Sequence, residues 1–509
     1  MSSFFLRVIT RLGERFDRRY SLSIVVGLAT CLWFSVFANA AHDLWAACFV
    51  FGFLTLLVLV LFAGHYRTRQ SIQLPLFVPV LLALAAFVVA SNSSYDFMSS
   101  RFECWVWFFS FIGFYLLLNS ARKPAELNFF FVLSSYVLVP LALLCIYLRV
   151  RNQTPEIHGT LINSVILSGF ALYWVFFLWE GAGQGGFRTI SFVAVLIILV
   201  LGRSWWVAIS LAIGLMYYYE EVIKTANFKR RSALIFYSLL SLLACGAIFF
   251  FKLSLYHKYR YPDSNRLAWW LAAAKMTIQH PLTGVGLGAY GTAYPYFHVG
   301  RGLNSLYVHN FLLQLLSETG LLGMATFLWL ALVIARRIQL FKTPTDRSSS
   351  TRRVFIATLI TVCIYSLVQI NMDYFLNKLM FLFVLAPLIK PDKADWTIQP
   401  SRWMVLGVLC MVLLIPSWIV PWIASTRFVE GTRHEENHDW SAARDSYLKA
   451  TELDRSYGDA YAGLARTYGQ AYRESGSAAD LAEWRADLME AFRWKKSAHF
   501  LAELEHPPQ

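Results

Sequence analysis

From Leu44 to Ala63 the chain runs without a charged side chain, and Thr55 is its one hydroxyl-bearing residue. A helix of about 20 residues, rising 1.5 Å each, crosses the roughly 30 Å hydrocarbon core of a bilayer. Backbone N–H and C=O groups in lipid must pair within their own segment, which leaves helices or closed barrels. Barrel strands would alternate apolar and polar residues over about 10 positions. The runs here are continuously apolar, so they predict helices. Composition agrees: 57% of residues are hydrophobic and only 15% charged, with mean hydropathy +0.49, against about a quarter charged in a soluble domain. The expected fold is all-α, a polytopic membrane helix bundle.

Hydropathy places about 13 spans, near 21–40, 44–63, 74–90, 105–120, 128–148, 161–179, 189–201, 206–219, 234–251, 311–335, 354–372, 379–389 and 403–423. The 189–201 and 379–389 runs are short for a crossing and read as tilted or broken helices. Charge orients the chain. Arg7, Arg11, Arg15, Arg18 and Arg19 precede the first span, and Arg67, Arg69, Arg122, Lys123, Arg188, Lys229, Arg230, Arg231, Arg336, Arg337, Lys342, Arg347, Arg352 and Arg353 fall on the same side. The other short loops hold Arg101, Arg149, Arg151, Arg203 and Lys378. A bias of roughly four to one puts the basic N-terminus, residues 1–20, in the cytoplasm. An odd number of spans then places the C-terminal tail in the periplasm of a bacterial inner-membrane protein.

The net charge of +14 does not point to nucleic acid, because the basic residues sit in short inter-span loops where they set topology. Six of the seven cysteines lie inside apolar runs and Cys104 borders one, which is packing rather than a disulfide framework. Ala38-Asn39-Ala40 has the form of a signal-peptidase site, but the preceding apolar run exceeds a usual h-region of about 7–15 residues. The first span therefore reads as an uncleaved anchor.

Two segments depart from the membrane pattern: a long external loop over 252–310, inside the transmembrane domain 21–423, and a charged tail over 424–509. In the tail, Gly431, Ala443, Tyr447 and Ala450, then Leu464, Ala465 and Tyr468 about 34 residues on, fit positions of tetratricopeptide repeats. Arg455 stands where that pattern prefers Pro. The tail is expected to be a small helical extramembrane domain, either repeat-like or an ordinary helical cap.

The loop carries the sharpest chemical signal. It runs Arg266-Leu267-Ala268-Trp269-Trp270, then His280-Pro281-Leu282-Thr283-Gly284-Val285-Gly286-Leu287-Gly288, a tyrosine-rich turn, and His309-Asn310 opening a helix. Pro281 ends a helix, and Gly284 and Gly286 permit tight turning and close approach to a ligand. His309 lies at the lip of a span, beside a helix N-terminus suited to anions. Asn310, Gln314 and Glu318 recur every four residues and share one helix face. An ionisable Glu318 at membrane depth points into the bundle or a wet cavity.

Pro281 through Gly288, the His309-Asn310 start, and the Glu318-x-Gly320-Leu321-x-Gly323 continuation together resemble the O-antigen ligase family, which includes O-antigen polymerases and O-linked protein oligosaccharyltransferases. Gly159-Thr160 with Asn163, and Gly202-Arg203-Ser204, are weaker echoes; Trp205 and Trp206 replace the small residues expected after Ser204. The resemblance implies a C-type glycosyltransferase bundle acting on a glycan carried by undecaprenyl diphosphate, with Arg203, Arg266 and His309 as catalytic residues. It also implies Asn163, Gly284, Gly286, Asn310, Gln314 and Glu318 as substrate-binding residues, and neither a metal nor a cofactor. Arginine forks suit a diphosphate leaving group, and a histidine suits an acceptor hydroxyl's proton.

Blander readings accompany each assignment. Arg203 has the character of a snorkelling interfacial residue. Arg266 opens a segment able to lie on the membrane surface, and His309 suits a helix cap. Lys258, Arg260 and Arg301 read as an electrostatic funnel or plain loop charges. Tyr290, Tyr294, Tyr296 and Phe297 read as an interfacial belt ahead of a sugar-stacking platform, and Asp373 with Lys378 as a local ion pair. Among functions, a polymerase of O-antigen or exopolysaccharide is favoured over a ligase to lipid A–core or a protein oligosaccharyltransferase, since the tail offers a docking surface for a chain-length regulator or export partner. A lipid-linked oligosaccharide transporter is disfavoured because no motif recurs as pseudo-symmetric transporters require. A purely structural scaffold leaves the Arg266–Gly323 pattern unexplained.

Overall fold

The computed structural model describes residues 2–152, 160–161, 163–181, 186–202, 204–225, 264–299, 303–338, 349–389, 392–393, 395–400, 402–506 and 508. The protein is an all-α membrane bundle, and apart from 234–251, which lies outside the described residues, each expected span falls largely on helix. Six helical stretches have the length and apolarity to cross a bilayer: Tyr20–Phe37, Leu44–Thr68, Phe97–Ser120, Pro124–Arg151, Phe311–Arg337 and Met404–Glu436. A seventh is the bent pair Ser164–Leu172 and Val175–Gly181, which meet at 42°. Shorter apolar helices at Phe77–Ser91, Gly186–Gly202, Trp206–Tyr219 and Phe375–Leu388 fill in between them, two of these at the runs expected to be short. The described cysteines are free thiols.

Three departures from the hydropathy pattern have physical causes. The expected 354–372 span stays helical only to Ser366 and then turns through 367–374. Asn371 Nδ2 donates to Ser366 Oγ at 3.2 Å and Asn377 Nδ2 to Asn371 Oδ1 at 3.0 Å, and such short-range side-chain bonds compete with a helical backbone. The 128–148 run breaks between Ser135 and Leu138, just ahead of Pro140, which cannot donate to the preceding turn. At the far end Pro416–Glu436 is one helix, so the boundary drawn at 424 falls within a continuous element that carries the bundle into the tail. A two-stranded antiparallel pairing of Ile72–Leu74 with Trp396–Ile398 ties two loops at one end of the bundle.

The tail stacks Trp440–Leu453, Gly458–Ser475, Ala478–Trp494 and Ala498–Glu505 as successive helices. Tyr447, fully buried, lies between the backbones of Gly431 and Gly463, where an added Cβ would meet its ring at 2.6 and 2.7 Å respectively. Its hydroxyl donates to Glu435 Oε2 at 2.5 Å, and Arg466 Nε donates to the other oxygen, Oε1, at 2.7 Å. The tail rests on the bundle at the segment that opens the Phe97–Ser120 helix. Lys496 N–H donates to Tyr95 O at 2.7 Å, Lys495 sits 3.8 Å from Asp96, and Arg101 pairs with Asp454.

Tyr447 is ringed by helix backbone and has nowhere to retreat. Gly463→Ala is expected to destabilise the tail by about 1–3 kcal/mol, read as earlier proteolysis of residues 437–506 in the intact protein while the bundle stays resistant. Unchanged protease resistance would show that the tyrosine is not held as described.

Candidate active site

A break in a membrane helix organises the site. Phe311–Arg337 is interrupted at Gly320, whose φ of 63° and ψ of −163° lie outside helical space. Such an interruption frees backbone groups that lipid cannot satisfy, and the glycine turn after Pro281 takes them up. Val285 and Gly286 N–H donate to the carbonyls of Ser317 and Glu318 at 3.0 and 2.9 Å, while Leu321 and Leu322 N–H donate to Pro281 and Leu282 O at 2.8 and 3.2 Å. The two backbones touch. A Cβ on Gly284 would overlap the Glu318 backbone, one on Gly320 would overlap Leu282, and one on Gly286 would overlap Ser94. The approach that Gly284 and Gly286 permit is therefore to protein, and the ligand expected against them finds that space filled.

Glu318 and Gln314 extend the same clasp. The Glu318 carboxylate accepts from Gly288 N–H at 2.8 Å, Tyr290 N–H at 3.4 Å and Gln314 Nε2 at 3.1 Å. Gln314 Oε1 accepts from Val308 N–H at 3.0 Å. The carboxyl group thus sits at the start of the Tyr290–Phe297 helix, where free backbone N–H groups meet it. Asn310 is the N-cap of its helix, accepting from Leu313 N–H at 3.0 Å. Asn163 likewise caps Ser164–Leu172 through Val165 and Ile166 N–H, both at 3.0 Å.

The tyrosine-rich turn is neither belt nor sugar platform. Tyr290, Tyr294 and Phe297 are buried with Ala272, Ala273, Met276, Val285 and Val308 in a small core of their own, and Tyr296 alone of the four is exposed. That core seats the Ser264–Gln279 helix. Trp270 Nε1 donates to Val308 O at 3.1 Å, Trp269 Nε1 to Leu303 O at 2.9 Å, and Tyr290 Oη to Trp269 O at 3.0 Å.

Arg266 and His309 converge above this scaffold. His309, in the left-handed region at φ 58°, stacks its ring on Trp269 with centroids 4.8 Å apart and planes at 18°. Burial, and then the positive charge of Arg266, hold its proton affinity down, to about 4, against an opposing hydrogen bond from the Gln369 side chain. The imidazole is therefore neutral at physiological pH, and its buried Nδ1 has no partner. Arg266 donates from Nη1 to Val368 O at 2.8 Å and lies 5.5 Å above the Trp206 ring. Arg203, Lys258, Arg260 and Arg301 lie outside the described residues. Two residues that follow Arg203 in sequence are described: Trp206, under Arg266, and Ser204, whose Oγ accepts from Tyr365 Oη at 3.5 Å.

Lys378 is paired differently from the expectation. Its ammonium meets Glu103 of the Phe97–Ser120 helix and lies 5.2 Å over the Trp107 ring, not on Asp373. Burial pushes the Asp373 carboxyl up to about 7, with Lys378 opposing and Glu103 adding to the rise. The sequence reading also missed the turn at 367–371, which supplies Val368 and Gln369. Two amides, Gln369 and Asn371, in an otherwise apolar run were the available signal.

A bundle of apolar helices, some of them broken, thus brings a guanidinium beside a neutral imidazole. Residues 159–328 match the family model described as O-Antigen ligase. That match, spanning Asn163 through the broken helix, places this stretch in the O-antigen ligase/polymerase family of glycan-handling membrane proteins. No curated protein matches the chain.

Because Gly284 combines φ +65° with backbone on its Cβ side, Gly284→Ala is expected to cost about 2–4 kcal/mol. The loss would appear as a lower thermal transition in detergent. A variant as stable as the parent would dissolve the clasp.

Proposed function

We propose that the protein is a metal-independent glycosyltransferase of the periplasmic face of the bacterial inner membrane. It polymerises O-antigen or an exopolysaccharide, transferring glycan from undecaprenyl diphosphate to an acceptor sugar hydroxyl. The observation that carries this reading is the pairing of Arg266 with a neutral, partly unpartnered His309 inside a stretch matched to the O-antigen ligase family. His309 takes the acceptor hydroxyl's proton as the oxygen bonds to the anomeric carbon, and the sugar–phosphate bond breaks with its electrons leaving on the diphosphate. Arg266 and Arg203 bind that developing charge in bidentate fashion without giving up a proton.

The six residues named as substrate-binding take a different part here. Gly284, Gly286, Gln314 and Glu318 hold the loop, and Asn310 and Asn163 cap helices that present the reacting groups. The tail serves as a docking surface for a chain-length regulator or export partner. The description of the matched family favours a second reading, ligation to lipid A–core. Supplying either a glycan or lipid A–core as acceptor separates the two.

Full-length protein in liposomes, given undecaprenyl-diphosphate-linked glycan, tests the assignment. His309→Ala and Arg266→Ala are each expected to lower turnover by roughly 100-fold or more. Arg266→Ala should also weaken binding of undecaprenyl diphosphate, which His309→Ala should retain. Parental turnover by both variants would sink the reading.

The pH dependence has a definite sign. A depressed histidine remains a free base until the pH falls through its folded-state value, so the acid limb of kcat/KM should lie near pH 4. A bound diphosphate adds negative charge beside the imidazole and favours its protonated form. The acid limb of kcat, which reports the complex, is therefore expected at higher pH than that of kcat/KM. Coincident limbs would separate His309 from the diphosphate.

A further inference from the structure

The turn after Ser366 forms a wall of the site that the matched stretch, ending at 328, does not include. Its Val368 carbonyl receives Arg266 Nη1 at 2.8 Å, and the Gln369 side chain is near enough to raise the proton affinity of His309. One short turn thus touches both reacting groups. The neighbouring amide is already committed: Asn371 Nδ2 donates to Ser366 Oγ and its Oδ1 accepts from Asn377. Gln369 differs. It is 5% exposed, and its Oε1 has no hydrogen-bond partner. His309 Nδ1, on the ring that this side chain acts on, is also without one.

We infer that Gln369 is a substrate-contacting residue, its carboxamide binding a sugar hydroxyl of the acceptor beside His309. Buried polar atoms in folded proteins are nearly always paired, so two open ones side by side mark where a ligand's polar atoms belong. Their chemistry selects the ligand. A carboxamide oxygen only accepts, and a diphosphate oxygen has no hydrogen to offer it, whereas a hydroxyl donates one hydrogen and accepts through its lone pairs. The same hydroxyl chemistry meets His309 Nδ1 in either tautomer. The diphosphate belongs with the guanidinium, and the glycan hydroxyls with the amide and the imidazole. Gln369 would also fix which way the imidazole faces, because a hydrogen bond to one ring nitrogen sets the role of the other.

The inference rests on the proposed transfer reaction, and the experiment separates the two. Full-length Gln369→Ala and Gln369→Glu are compared with the parent in liposomes, using undecaprenyl diphosphate as the binding probe and undecaprenyl-diphosphate-linked glycan for turnover. Gln369→Ala should raise the acceptor KM about tenfold, the order expected for losing one buried hydrogen bond, and leave undecaprenyl diphosphate binding unchanged. Among the described residues, Arg266 is the charged group acting on His309. The carboxylate of Gln369→Glu opposes it, favours the imidazolium, and should move the acid limb of kcat/KM upward by about one pH unit or more. Should the alanine variant fold poorly, the near-isosteric glutamate variant still carries the pH readout. Parental acceptor KM in Gln369→Ala, or an unmoved limb in Gln369→Glu, while His309→Ala is inactive, overturns the role of Gln369 alone. Parental turnover in His309→Ala removes the transfer reading beneath it.

Discussion

Four backbone hydrogen bonds between the 281–286 turn and the 317–322 stretch of a membrane helix hold the rest of the site in place. A helix interrupted in lipid must find partners for every group it releases. Here the partners come from a loop distant in sequence, so helix break and loop conformation require each other. Glycine is demanded on both sides of the contact, at Gly284 and Gly320, because a side chain on either would enter the other's backbone. The Glu318 carboxylate then fastens the loop a second time through Gly288 and Tyr290. This carboxyl group is structural, and its cost of burial is offset by donors aimed at it.

The reacting groups hang from that frame on three segments. The Ser264–Gln279 helix contributes Arg266, the residue ahead of the broken helix contributes His309, and the 367–371 turn braces both. Packing alone does not make His309 a base. It needs to be neutral and to retain an open nitrogen, and burial together with Arg266 supplies the first while Nδ1 supplies the second. Under the proposed function, the charge that binds a diphosphate also keeps the neighbouring imidazole deprotonated until that diphosphate arrives.

Much of the bundle was legible in the sequence because lipid leaves few alternatives. Runs such as Leu44–Ala63 permit little but a helix, and the Arg266–Gly323 pattern singled out the segment that folds over the broken span. Finer features were hidden for physical reasons. Hydropathy averages over a window, so it passes through Ser366, where individual amides end a helix, and it places a boundary at 424, where charge density rises although the Pro416–Glu436 helix continues. Spacing showed that Gln314 and Glu318 share a face, but not that this face meets a loop. Glycine frequency showed close approach at 284–288 without saying to what. Partners across long sequence separations, such as Lys378 with Glu103 and Gln369 with His309, have no local signature.

These contacts also change what the sequence motif means. Its most distinctive letters, Pro281, Gly284, Gly286, Glu318 and Gly320, describe a backbone geometry, while the proposed proton and phosphate chemistry falls to Arg266, His309 and Arg203. Enzymes with different acceptors can share the clasp because a clasp of backbone to backbone is indifferent to what is transferred. Acceptor choice must then reside in side chains that the clasp leaves open, which directs attention to Gln369 and to the Tyr95–Arg101 segment. That segment holds the glycine loop through Tyr95 N–H on Val285 O and the tail through Lys496 N–H on Tyr95 O, at 2.8 and 2.7 Å. Ser100 Oγ on Leu287 O and Arg101 on Asp454 extend the same double attachment, so this one segment joins the tail to the loop.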